Sequence, residues 1–81
     1  MSLPTQRAIQ RCQDADDRWS AELRREFPIR SVAGDARYDD RGTSTPMLRV
    51  LHDRFMTASD ELHECFLNDR AREWSDFAHP E

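Results

Sequence analysis

A chain of 81 residues has room for one domain, residues 1–81, and a core of that size buries only roughly 60–65% of the surface the unfolded chain exposes. Hydrophobic residues make up 37% and charged residues 35%, which is polar but too rich in Leu, Phe and Trp for a chain disordered throughout. Twelve basic residues, all Arg, stand against sixteen carboxylates for a net charge of −4, with no basic block; that argues against a sequence-independent nucleic-acid binder, which needs a positive patch to displace counterions. No apolar run reaches the roughly 18 residues of a membrane span, and "MSLPTQRAIQRCQD" lacks the uninterrupted apolar stretch of an export signal. A cytoplasmic location, with reduced cysteines and no membrane partner, is the expectation.

The first predicted element is a helix over about 4–27. Ile9, Cys12, Ala15, Trp19, Leu23 and Phe27 recur at steps of three or four, the repeat of one helix face. Ser2 is placed to cap it and Pro4 fits its first turn, where a missing N–H costs nothing. Pro28 supplies the stop. Asp16 interrupts the stripe between Cys12 and Trp19, either at its edge facing water or set to meet an Arg of a partner.

The connection from Pro28 to Ser44 runs about 17 residues, long for two neighbouring helices. It carries Ile29, Val32 and Tyr38 as potential anchors, turn signals around Gly34 and Gly42, and the polar cluster Arg37, Tyr38, Asp39, Asp40 and Arg41. "IRSV" and "ARY" have the makings of a short strand pair. Three readings stand side by side: a recognition loop using Arg37, Tyr38, Asp39 and Arg41, residue types found at binding hot spots, a structural flap that closes the open end of a bundle, or a connection long enough to let helices exchange between chains in a domain-swapped dimer.

The second long helix is expected over about 46–67, with Thr45 capping and Pro46 at the first helical position. Leu48, Leu51, Phe55, Ala58, Leu62 and Cys65 alternate in steps of three and four, and Phe66 widens the stripe. From Leu67 the apolar phase shifts by one residue, about 100° around the axis. Either the helix continues with a new face, or Asn68 ends it and Asp69 caps a short C-terminal helix over about 69–77 that folds Trp74 and Phe77 back onto the bundle.

The pattern predicts an all-α antiparallel helical hairpin with a long ordered connection. Two helices enclose no interior, so the stripe of Trp19, Leu23, Leu48, Leu51, Phe55, Leu62 and Phe66 is expected both to build the core and to pair two chains into a dimeric four-helix bundle. No nucleophile with an adjacent base and no phosphate-binding glycine loop is present, so no enzymatic activity is expected. His52, Asp60 and His63 do not complete a metal site, and no cofactor is called for. Cys12 and Cys65 both sit at core-facing positions, expected as free thiols.

The function expected is a small non-enzymatic protein-interaction or regulatory module, a homodimer that binds another protein. Its partner surface is assigned to Arg37, Tyr38, Asp39 and Arg41, with Trp74 and Phe77 as a second surface. The alternative is an acidic inhibitor of phage or plasmid type that occupies a nucleic-acid-binding site on its target. A further alternative is direct nucleic-acid binding through Arg24, Arg25, Arg30 and Arg37.

Overall fold

A computed structural model of the chain describes the backbone of residues 1–78 and the side chains of residues 1–75, and every regular element among them is helical. In chain order these are α1 (Leu3–Glu26), α2 (Arg30–Ala36), a 3-10 turn (Asp40–Thr43) and α3 (Pro46–Ala78).

Helix α1 starts where its cap chemistry dictates. The Thr5 N–H donates to Ser2 Oγ at 3.3 Å, and Pro4 lies in the first turn. Arg24 and Arg25 occupy the last turn, complementing the carbonyl end of the helix dipole, and Phe27 caps it just before Pro28. The start of α3 repeats the logic: the Leu48 N–H donates to Thr45 Oγ1 at 3.1 Å, and Pro46 supplies the first helical residue.

The paired strands suggested for "IRSV" and "ARY" do not form; the first of these segments is part of α2 instead. Ala33 and Ala36 are buried and let this short helix lie close against Trp19 and Leu23, a contact that strand geometry would not give. Two of the expected anchors are corrected as well. Ile29 and Tyr38 are exposed, at 66% and 86%, because the inward-facing positions of α2 fall on its alanines and on half-buried Val32.

Contacts between α1 and α3 advance along one helix as they retreat along the other. Trp19 stacks on Phe55, Arg11 pairs with Glu61 at 3.4 Å, and Thr5 reaches Asp69. The core gathers near the connection: Trp19, Leu23, Ala33, Ala36, Leu48 and Leu51 are buried together, with Phe27 and Phe55 packed against them. Phe66, assigned to the same stripe, is instead 44% exposed. It lines a surface cleft with Met1, Arg70 and Glu73, while the contacts of α3 with the start of α1 are made by Cys65, whose thiol lies 3.9 Å from the Pro4 carbonyl, and by Asp69. Leu62 is half-buried, and both cysteines are free.

A separate helix over 69–77 does not form. Helix α3 is continuous for 33 residues, about 50 Å, and its last turns run past the start of α1. No Pro or Gly interrupts that stretch, and the carboxylate expected to cap a new helix serves another purpose. Asp69 Oδ2 accepts from Thr5 Oγ1 at 2.6 Å and from the Ser2 N–H at 3.2 Å, bridging α3 to the first turn of α1. Trp74 therefore does not fold back onto the bundle and is 71% exposed. The side chain of Phe77 lies outside the described residues.

The Asp69 bridge has a pH signature. Hydrogen bonds from Thr5 and then Ser2 favour the carboxylate and hold the acid at about 2, below its ordinary value of 3.8. A lowered folded-state value contributes stability that is fully present above the unfolded value and is lost as pH falls through the folded one. The stability difference between the wild type and Asp69→Asn is expected to be constant above about pH 5 and to shrink between pH 4 and 2. Urea unfolding across that range checks it; a difference that persists unchanged at pH 2 would show that the bridge does not depend on the charge.

Candidate functional site

Trp19 organises the most chemically varied surface of the molecule. It is 4% exposed, and its Nε1–H donates to the Gly42 carbonyl at 3.0 Å, tying α1 to the 3-10 turn. One face stacks on Phe55 with ring centres 5.6 Å apart, and His52 meets the ring edge at 5.0 Å. The Arg37 guanidinium lies 4.6 Å from the Trp19 centroid and 5.3 Å from that of Phe55, within reach of the electron-rich faces of both rings.

Arg37 is fixed from its other side too. Nη1 donates to Ser20 Oγ at 2.8 Å, and Nη2 pairs with the Asp16 carboxylate. Asp16, the carboxylate that breaks the apolar stripe of α1, thus meets an arginine of its own chain. Arg37 is held rather than freely displayed: its side chain is 21% exposed and engaged by two aromatic rings, a hydroxyl and a carboxylate.

Around this stack opens a cleft of about 400 Å³ lined by Trp19, Arg37, Tyr38, His52, Phe55 and Met56. Tyr38 and Met56 are its exposed members. The volume lies within the roughly 300–1,000 Å³ of clefts that accept a ligand or an anchoring side chain. Its lining offers flat ring faces, a thioether, an imidazole and the edge of a fixed cation.

The other assigned residues of the connection turn toward each other. Asp39 accepts from the Arg41 N–H at 2.8 Å, capping the 3-10 turn, and its second oxygen accepts from Arg41 Nη2 at 2.6 Å. These bonds hold the Asp39 acid below its ordinary range and raise the Arg41 guanidinium above its own. The pair is exposed, but its hydrogen bonding shapes the turn that carries Gly42. Of the residues assigned in the connection, Tyr38 alone is both exposed and in the cleft; Trp74 lies toward the far end of α3.

A second, larger groove of about 490 Å³ runs between α1 and α3, with Ala15 and Ala58 among its lining and Arg11, Arg54, Asp53 and Glu61 along it. On α3 its residues fall on the flank opposite His52 and Met56, as the 100° step per residue requires. His52, Met56 and Gly42 were not singled out as site residues by sequence, and only Asp16, a carboxylate within an apolar stripe, carried a local signal of the Arg37 contact.

Among the described residues no three His, Cys, Asp or Glu side chains gather where a metal ion could be held, and no helix is long and apolar enough to cross a membrane. No family model, curated protein or solved structure matches the chain.

Proposed function

We propose that this chain is a small non-enzymatic protein-interaction module that acts as a homodimeric helical bundle, the hairpin of α1 and α3 being its repeating half. One observation supports the reading: the chain exposes more surface than a compact monomer of its mass. The chain exposes 6313 Å², whereas a compact monomer of 9.6 kDa exposes about 5,100 Å². The Cα radius of gyration is 16.9 Å against about 12 Å for a compact domain of this length. The excess of about 1,200 Å² is of the order that one protomer buries in a stable interface, about 800 Å² or more.

The groove between α1 and α3 suits a second copy. Ala15 and Ala58 permit close approach of helices, and Val50, 47% exposed, stands beside them. A two-fold interface must be complementary to itself. Arg54 has no ion-pair partner among the described residues, and Asp53 and Glu61 line the same groove, so a rotated copy sets arginine of one chain against carboxylates of the other. The aromatic cleft lies on the opposite flank of α3 and remains open to another protein, with Tyr38 and Met56 at its exposed rim.

Sedimentation of the wild type at tens of micromolar is expected to show a dimer. Val50→Arg, which places a charge at an exposed position without touching the core, is expected to give a monomer of unchanged helicity, a loss of at least tenfold in association from burying an unpaired charge. A wild-type chain that stays monomeric with a cooperative melting transition would sink the proposal.

A further inference from the structure

We propose that the cleft between the end of α1 and α2 is a binding site for a compact oxyanion, of the phosphate monoester class. Arg24, Arg30 and Arg37 all line this one cleft of about 200 Å³, together with Ser20, Ala33 and Gly34, and no carboxylate lines it. In a chain of net charge −4 that concentration of guanidinium is the reverse of the average surface. Of the other described clefts, the aromatic one shares Arg37 and likewise has no carboxylate in its lining but brings no second arginine, whereas the groove along α1 and α3, its neighbour lined by Asp14, and the one at Met1 each include at least one carboxylate.

The three arginines divide the work. Arg37 is held rigid by Asp16, Ser20 and the two rings, yet its five N–H groups are not all consumed by those two hydrogen bonds. Arg24 and Arg30 are exposed and make no ion pair or hydrogen bond with a described side chain, so both remain available to close on an anion. Arg25, next in sequence, is different: Glu22 holds its guanidinium at 2.8 Å, and it does not line the cleft.

Ser20 adds a donor. Its oxygen accepts from Arg37, which leaves the hydroxyl proton for an anion in the cleft. Gly34 adds room, since beyond its chain neighbours and the backbone of its own helix no atom lies within 4 Å of where a side chain there would begin. Guanidinium forks and hydroxyls are the donors that tetrahedral oxyanions select. At about 200 Å³ the cleft has room for a phosphate group among these donors. Three arginines at one point are also not the extended track that a polynucleotide backbone requires.

The test is a titration of the full chain with inorganic phosphate and with phenyl phosphate, followed by amide NMR shifts. Saturable shifts centred on Ser20, Ala33, Gly34 and Arg37 are expected, with affinity falling roughly tenfold or more in Arg24→Gln and in Arg30→Gln, as loss of a charge-assisted hydrogen bond implies. Arg25→Gln is expected to bind as the wild type does, and circular dichroism verifies that all three variants fold. Shifts that never saturate, or equal weakening in Arg25→Gln, would overturn the site in favour of diffuse charge attraction. Binding of a single-stranded oligonucleotide that phenyl phosphate cannot displace would overturn it in favour of a polyanion surface.

Discussion

Replacing Trp19 by Ala is expected to cost about 3–5 kcal/mol, the range for emptying a large aromatic from a packed core. A domain of this length has roughly 4–12 kcal/mol in total, and the core here is thin, because four of the eight buried apolar residues among those described are alanines. Trp19 is the largest of the eight and meets three layers at once: Phe55 and His52 of α3, Arg37 beyond α2, and the Gly42 carbonyl of the 3-10 turn. Its removal leaves that carbonyl without its donor and takes one of the two rings from Arg37. Trp19→Phe separates the contributions. It keeps most of the ring and loses the N–H, so it is expected to cost about 1–3 kcal/mol, the penalty for an unsatisfied buried acceptor. Chemical denaturation of the two variants checks the ordering; equal losses would mean that the hydrogen bond to Gly42 contributes everything and the ring nothing.

The second large effect is expected at Gly42, and it comes from space rather than from backbone angles, since no glycine has a positive φ. A Cβ at this position would lie 2.6 Å from the Ala36 carbonyl oxygen and 3.2 Å from Cζ2 of Trp19. The nearest atom is backbone, which cannot swing aside as a flexible side chain does, so the 3-10 turn must move away from α2. Gly42→Ala is therefore expected to destabilise by about 1–3 kcal/mol, as overpacking does in well-packed interiors. Displacing the turn also stretches the Trp19 hydrogen bond, so the costs of Trp19→Phe and Gly42→Ala are not additive. A double-mutant cycle by urea unfolding reads that coupling, and strict additivity would show that the two contacts are independent.

The long helices were legible because their signals are local and repeated: stripes at steps of three and four, with Ser2 and Pro4 or Thr45 and Pro46 at the starts and Pro28 at a stop. Helix α2 was not legible for the same reason. Seven residues give barely two turns, its inward positions are alanines that carry little apolar contrast, and Gly34 sits within it. Arg37 reads as a surface residue because its neighbours in sequence are polar, whereas the rings that hold it come from two other helices. The continuation of α3 past Asn68 was obscured by the shift of its apolar face. Asp69 looked like a cap to the residues that follow it, when its partners lie 64 and 67 positions away, beyond the reach of any local pattern.

The two ends of the helix pair are held by different forces over different lengths of chain, and this sets the order in which the molecule assembles and opens. Near the connection, apolar surfaces meet across short loops: Trp19 and Gly42 are 23 positions apart. At the other end the closing contacts are polar and span 61 to 67 positions: the Asp69 bridge to Thr5 and Ser2, with the Cys65 thiol against the Pro4 carbonyl beside it. Closing the shorter loop costs less chain entropy, so the pair zips from the connection outward. Opening runs in reverse, with the start of α1 parting from α3 while the aromatic stack stays intact. The amides around Thr5 and Ala8 thus exchange with solvent through local opening, and those around Leu23 and Leu48 only when the whole chain unfolds.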